Sequence, residues 1–328
     1  MLLPMPTALI TGSGGQDGVY LTRLLHTKGY TVSGIDLHGR YGEADRGYAV
    51  NLSDRRDIRS VVDESQPDEV YVLAAYQHSS ERIRIAEEEL VAASLDVNAL
   101  ALNEMLAAIA HLRPTARLLY ASSSRVFGET ECQMQSEDTP LNPVEPYGIS
   151  KAAGMQLCRY WRRARNLFAV SAILYNHESP LRPPYFLSQK VVQAARKATQ
   201  GLNSTLTLGD LSAQVDWGHA ADAVRAMWIM LQQPGPADFV VATGQLHSVR
   251  DWLDEAFGLV CLDWHNTVHE DRCLLSRPSF ALCGDATRLR QNTNWQPEFT
   301  FKGLVQDMLN AELARHTTPV AWSTVESV

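Results

Sequence analysis

A doubly wound α/β fold, with a parallel sheet between two helical layers and a smaller mixed α/β domain attached, is what this chain predicts. Three observations carry the prediction. Short apolar runs alternate with segments of helical period through the first half, which implies successive βαβ units. A glycine-rich stretch follows the first apolar run and opens the first helix. After Asn176 the rhythm breaks at Pro180, Pro183 and Pro184, and shorter, more mixed segments follow.

Ala8-Leu9-Ile10 reads as the first strand. Val19 to Lys28 has apolar residues at helical spacing and stops at Gly29, a residue type that ends helices. Thr31 to Asp36 is a second strand, the segment around Asp57 to Ser65 a helix, and Val70 to Ala74 a third strand. A long helix is placed near Leu95 to Leu112, with strands at Leu118 to Ser122 and Ala169 to Leu174. Ala221 to Gln232 reads as a helix returning to the first domain. Thr205 to Gly209, Phe239 to Thr243, Trp252 to Phe257 and Leu304 to Leu313 are the shorter later elements. The expected division is 1–175 joined by about 216–244, then 176–215 with 245–314, then a loose tail over 315–328.

The 328 residues, 45% hydrophobic and 20% charged, suit a globular chain. A net charge of -8 argues against nucleic acid or an anionic membrane as partner, while leaving room for a local basic pocket. Cys132, Cys158, Cys261, Cys273 and Cys283 are scattered, odd in number and free of CxxC spacing. Reduced thiols in a cytoplasm, with no metal site, are the expectation. Met1 to Thr7 lacks a basic leader region, and no apolar run approaches the roughly 20 residues that span a bilayer.

Thr11-Gly12-Ser13-Gly14-Gly15-Gln16-Asp17-Gly18 places glycines at 12, 15 and 18 between a strand and a helix. Glycines let backbone approach a pyrophosphate, and the helix N-terminus offers free N–H groups and a positive dipole end. Asp36 ends the second strand where a carboxylate would bind ribose hydroxyls and repel a 2′-phosphate, which favours NAD. Arg40 follows closely and keeps NADP open.

Tyr147-Gly148-Ile149-Ser150-Lys151 is a YxxxK pair, and residues four apart share one helix face. A lysine beside a phenol favours phenolate, so Tyr147 can serve as a general acid/base. Tyr120-Ala121-Ser122-Ser123-Ser124 runs off a strand end and offers a hydroxyl to the same substrate oxygen.

The glycine stretch, Ser122 to Gly128 and Tyr147 to Lys151 together resemble the extended short-chain dehydrogenase/reductase family, a Rossmann fold with a smaller substrate domain. Further stretches resemble its GDP-mannose 4,6-dehydratases: Leu73-Ala74-Ala75-Tyr76-Gln77-His78, Asn176-His177-Glu178-Ser179-Pro180, Asp216-Trp217-Gly218-His219-Ala220, and Ala242 to Gly244 with His247 to Arg250. The likeness runs to about Leu313. It implies a nucleotide-sugar substrate in GDP-linked form, NAD or NADP as cofactor, and Ser123, Tyr147 and Lys151 as catalytic residues. The cofactor would lie along Gly12, Gly15, Gln16, Asp17, Gly18, Asp36, Asn51, Leu52, Leu73, Ala74 and Ala75, with His177 and Arg182 beyond the last core strand. Asn176, Lys190 and Arg277 match positions that hold the nucleotide diphosphate. The resemblance also implies a homodimer formed through Leu95 to Leu112 and Ser150 to Arg165.

Departures from the family pattern matter for mechanism. The dehydratases carry a glutamate two residues after the catalytic hydroxyl, where this chain has Arg125. A guanidinium stays protonated and cannot be that base. Val215 and Gln189 stand where arginines are usual, and Pro278-Ser279-Phe280 replaces a usual acidic residue. Glu145 and Glu178 are candidate substitutes for the missing carboxylate. Three outcomes stay open on sequence: a dehydratase with a different base, a C4 ketoreductase or epimerase, and a non-catalytic dinucleotide-binding protein. The retained YxxxK pair speaks against the last.

Overall fold

A computed structural model describes residues 5–77, 85–202, 205–275 and 280–315. The main sheet has seven parallel strands: β1 (Thr7–Thr11), β2 (Thr31–Asp36), β3 (Arg46–Ala49), β4 (Glu69–Val72), β5 (Arg117–Ser123), β6 (Phe168–Leu174) and, after β7 (Asn176–Glu178), β8 (Leu206–Leu208) and β9 (Gln214–His219), the strand β10 (Phe239–Val241). Their order is β10-β6-β5-β4-β1-β2-β3. Chain direction across the sheet reverses between β1 and β4, and such a switch point opens a ligand crevice at the strands' C-terminal ends.

Every residue of β4 is buried, as a parallel strand covered on both faces requires. One face is covered by α1 (Gln16–Thr27) and, later in the chain, α7 (Ala220–Leu231), whose Leu21, Leu25, Val224 and Met227 share a core with Ile10 and Tyr71. The other face is covered by α2 (Arg55–Ser65), by α4 (Ala101–Leu112), which continues α3 (Glu87–Leu95), and by α5 (Pro146–Arg165). A separate core joins α6 (Leu187–Thr199), α8 (Val249–Gly258) and α10 (Phe301–Arg315) around Trp217 and Trp252. Two small sheets accompany it: β7 and β9 with β11 (Leu246–Ser248), and β8 with β12 (Val268–Glu270). The short helix α9 (Thr287–Thr293) returns Leu289 to the first core.

The predicted doubly wound sheet is present, and several boundaries move for physical reasons. The third predicted strand stops at Val72, because the N–H groups of Leu73 and Ala74 turn to Thr11 Oγ1 at 3.1 Å each. The long helix begins at Glu87, not near Leu95: Glu87, Glu88 and Glu89 crowd its first turn, where negative charge suits the helix dipole. A π-helical turn over Asp96–Leu100 joins its two halves. The whole stretch Glu87–Leu112 is long and apolar enough to cross a membrane by length and composition, although charged residues interrupt it; its inner residues Leu102, Met105, Leu106 and Ile109 lie in the core. The helix read over Leu304 to Leu313 extends to Arg315, so the tail expected from 315 falls, from 316 on, outside the described residues.

Candidate functional site

A cleft of about 300 Å³ opens at the C-terminal ends of β4, β5 and β6, between the main sheet and the second core. Leu73, Ser123, Tyr147, Lys151 and His177 line it from the first side, and Leu187, Leu208, Val215 and Trp217 from the second.

The glycine loop stands at the switch point. Gly12 has φ +73°, and a Cβ there would lie 3.0 Å from the backbone of Ala74, so only glycine lets the loop lie against the strand end opposite. Gly15 caps α1 without a side-chain hydrogen bond, which leaves the first-turn N–H groups for a ligand. At Gly18 a Cβ would meet Gly12 O at 2.4 Å, so its bare backbone is what lets the helix start this close to the loop.

Gln16 and Asp17 then bind the segment after the last long strand. Gln16 Nε2 donates to the His177 carbonyl at 3.1 Å and Gln16 Oε1 accepts from Ser179 Oγ at 2.8 Å. His177 Nε2 meets Asp17 Oδ2 at 2.9 Å, and its Nδ1 faces the Tyr175 carbonyl at 2.7 Å. Two acceptors on one ring suit the doubly protonated imidazolium. Burial opposes both charges, but each partner outweighs it for the other: the Asp17 carboxyl is held below its ordinary range and His177 above its own.

The second cluster is set by β5 and α5. Ser123 ends β5, and its hydroxyl accepts from the Arg125 N–H at 3.2 Å while sharing a hydrogen bond with Tyr147. Lys151 Nζ donates to the Ala121 carbonyl at 2.8 Å, with the Tyr120 and Tyr147 rings at 4.8 and 5.6 Å. Burial pushes the phenol of Tyr147 up to about 12, against the pull of its Ser123 hydrogen bond. Burial also pushes Lys151 down to about 7. In the protein alone Lys151 is held by a carbonyl, and desolvation dominates both groups.

Asn98, behind the cleft, is a supporting residue that sequence reading missed. It sits buried in the π-helical turn, where its Oδ1 accepts from Tyr76 N at 2.9 Å. Its Nδ2 donates to Tyr76 O and to Ser150 Oγ, and its own carbonyl accepts from Tyr120 OH at 2.8 Å. One side chain thus ties the loop after β4 to the YxxxK helix. A polar residue between apolar helical neighbours was the available signal; π turns recur at functional sites. Tyr185 and Gln77 also line the cleft without having been singled out as site residues.

The remaining candidates divide by position. Ala75, Arg125, Asn176, Glu178 and Arg182 line the cleft. Arg182 pairs with Glu178 at 3.1 Å and lies over the Phe186 ring at 3.8 Å. Asp36, at the end of β2, accepts from the N–H groups of His38 at 2.8 Å and Arg40 at 3.2 Å. Asn51 and Leu52 follow β3, where Asn51 Oδ1 accepts from Ser53 N and Leu52 packs against the core; neither lines the cleft. Lys190, on α6, is also outside the cleft lining. Arg277, with His78, Pro278 and Ser279, lies outside the described residues. Gln189, where an arginine is usual, is buried and donates to the Pro180 carbonyl at 3.0 Å. Asp216, in the Asp-Trp-Gly word, works at a distance from the chemistry: its carboxylate accepts from Thr243 N and Oγ1, Gly244 N and Gly284 N.

A parallel sheet reversing at β1/β4, a glycine loop at that reversal and a serine, tyrosine and lysine gathered at the end of β5 form the frame of an extended short-chain dehydrogenase/reductase. The family model for GDP-mannose 4,6 dehydratase matches residues 9–308, and the chain belongs to that family. It is 38% identical to GDP-mannose 4,6 dehydratase 2 of Arabidopsis thaliana, over 94% of this chain and 87% of the relative. It is 34% identical to the GDP-mannose 4,6 dehydratase of Homo sapiens, over 94% of this chain and 92% of the relative. Among solved structures, dTDP-glucose 4,6-dehydratase from Bacillus anthracis in complex with NAD matches with TM-score 0.81 at 17% identity, covering 95% of this chain and 98% of that one. RMD from Pseudomonas aeruginosa complexed with NADPH matches with TM-score 0.79 at 22% identity, covering 94% and 99%. These two likenesses concern the fold.

Proposed function

We propose that this chain is an NAD(P)-dependent enzyme acting on a nucleotide-linked sugar, GDP-linked by family, with hydride transfer at sugar C4. The observation that carries the reading is the meeting of Ser123, Tyr147 and Lys151 in a cleft reached from one side by the α1 N-terminus and from the other by the second core. That arrangement suits two ligands meeting end to end, a dinucleotide along the glycine loop and a nucleotide sugar against the second core. The uncapped start of α1 and the cradle at Gly12 fit a dinucleotide diphosphate.

A bound nicotinamide dinucleotide supplies the hydride acceptor and a positive ring. Tyr147 takes the proton of the C4 hydroxyl, Ser123 hydrogen-bonds the same oxygen, and Lys151 presents its charge beneath the phenol. Tyr147, kept neutral by burial in the protein alone, would ionise more readily beside that positive ring. Asp36 favours NAD, because a carboxylate at the end of β2 would bind ribose hydroxyls and repel a 2′-phosphate. The His177–Asp17 pair keeps the Asp17 charge from repelling the diphosphate.

The second core, built from α6, α8 and α10 around Trp217 and Trp252, serves as the substrate-holding half. Free thiols at all five cysteines support a reducing, cytoplasmic setting. An apolar groove on the outer face of the end of α3, the π-helical turn and α5, lined by Leu95, Ala99, Leu100, Ala153, Leu157 and Tyr160, supports a homodimer through the helices Leu95 to Leu112 and Ser150 to Arg165. Leu100 is 43% and Tyr160 61% exposed there.

The test is incubation with NAD or NADP and a panel of GDP-, UDP-, CDP- and dTDP-sugars, followed by nicotinamide absorbance and by mass and NMR analysis of the sugar. Turnover of a GDP-sugar at C4 is the expected result. Absence of both binding and turnover with every nucleotide sugar would overturn the reading, and activity confined to a non-guanine nucleotide would overturn the GDP assignment.

A further inference from the structure

The loop after β5 and the first turn of α5 are locked together. Gly148 lies so close that a Cβ would be 2.5 Å from the Arg125 carbonyl, and Asn142 N donates to the Val126 carbonyl at 3.0 Å. This packing places Arg125 against Glu145, the residue before the helix. Arg125 Nε stands 3.5 Å from Glu145 Oε1, with the Glu145 side chain 13% exposed. Both line the cleft beside Ser123 and Tyr147, and the Glu145 charge is close enough to act on the Tyr147 phenol.

Among the described residues, each of the other carboxylates that line the cleft is engaged by partners outside the loop after β5. Glu178 Oε2 accepts from Ser188 Oγ at 2.6 Å and pairs with Arg182 at 3.1 Å, with only 4% of its side chain exposed. Asp17 is engaged by His177. Asp210 accepts from Ser212 and pairs with Arg272 on the far side of the cleft.

Resting on the proposed C4 chemistry, we propose that Glu145 is the acid/base for loss of water from the oxidised sugar, and that Arg125 is its positioning residue. Oxidation at C4 makes the C5–H bond acidic, because its electron pair can pass into an enolate. The C5 proton goes to the Glu145 carboxylate as the C4–C5 enolate forms. The C6–O bond then breaks, and the C6 hydroxyl leaves with the Glu145 proton as water. The hydride removed from C4 returns to C6, and C5 receives a proton equivalent to the one taken from the C4 hydroxyl. The sugar loses one water, and no net oxidant is consumed. The carboxylate comes from the helix side of the cleft, and the guanidinium at 125 anchors it.

The experiment compares wild type, Glu145→Gln, Glu145→Asp and Glu178→Gln on the nucleotide sugar that the panel identifies, run in D2O. Expected for Glu145→Gln is a fall in dehydration of at least about a hundredfold, the usual scale for a lost acid/base. Deuterium incorporation at C5 falls with it, while reduced cofactor still accumulates in a single turnover. Glu145→Asp, which restores a carboxylate, recovers part of the loss. For Arg125, replacement by Ala lowers kcat more than it raises KM, and Lys restores part of kcat. Dehydration by Glu145→Gln at the wild-type rate, or a loss confined to Glu178→Gln, overturns the inference. Wild type that reduces cofactor but forms no dehydrated sugar also overturns it, leaving the C4 reading standing. Wild type that shows neither transient cofactor reduction nor any sugar product altered at C4 sinks the C4 reading first.

Discussion

Asp17 and His177, 160 positions apart, close an ion pair of 2.9 Å that joins the helix of the glycine loop to the strand following the main sheet. The pair sits where the proposed dinucleotide and sugar meet, so its removal should register in both stability and cofactor binding. Asp17's contribution is fully present above the unfolded value of 3.8 and is lost as pH falls through its lowered folded value. His177's contribution is fully present below 6.5 and is lost as pH rises through its raised folded value. Thermal melts of His177→Gln should therefore differ most from wild type between those two values, and the difference should shrink above the folded His177 range. Calorimetric titration should show dinucleotide binding weakened by about tenfold, roughly 1.4 kcal/mol.

Tyr147→Phe keeps the ring and removes the acid/base. C4 oxidation should fall by about 10² to 10⁴-fold in stopped-flow absorbance, with nucleotide-sugar affinity within a few-fold of wild type. A variant with near wild-type oxidation would assign the proton transfer elsewhere.

Lys151→Met should separate activity from stability. The lysine's folded value near 7 lies below its free value of 10.5, so burial costs stability. That cost is full below the folded value and fades as pH rises toward the free value. Methionine removes the cost, so the variant's melting temperature should match or exceed wild type near neutral pH, with the advantage vanishing at alkaline pH. Activity should be lost throughout. A melt well below wild type at pH 7 would show that the Ala121 hydrogen bond matters more than desolvation.

Asp216→Ala should destabilise without touching the chemistry directly. Four hydrogen bonds to Thr243, Gly244 and Gly284 lose their acceptor in a buried place. The expected loss is about 2–5 kcal/mol in urea unfolding, since unsatisfied buried donors cost about 1–3 kcal/mol each and partly relax. An unchanged midpoint would mean that water replaces the carboxylate.

The outer groove is tested by Leu100→Asp together with Tyr160→Asp. Both side chains are exposed in the single chain, so neither change should disturb the fold. Sedimentation should show a dimer for wild type and a monomer for the double variant. A monomeric wild type would remove the dimer proposal.

What the sequence determined by itself was local. The sheet strands over Thr31–Asp36 and Phe168–Leu174, the glycine spacing and the YxxxK pair are set within windows of a few residues, where burial period and backbone freedom leave a direct mark. Strands of three residues, such as β7, β11 and β12, are too short to carry a period, and their pairing partners lie far along the chain. The Asp-Trp-Gly word was legible as a family mark, but its reason, a carboxylate gathering amides from two distant loops, was not. Asn98 escaped because its value lies in three partners from different elements. The missing glutamate was plain from Arg125 alone. Only the tertiary structure decided that Glu145, twenty residues on, packs against that arginine beside the cleft. Propensity and period act between neighbours, whereas a charge pair depends on how the loop after β5 packs against the start of α5, which no local window contains.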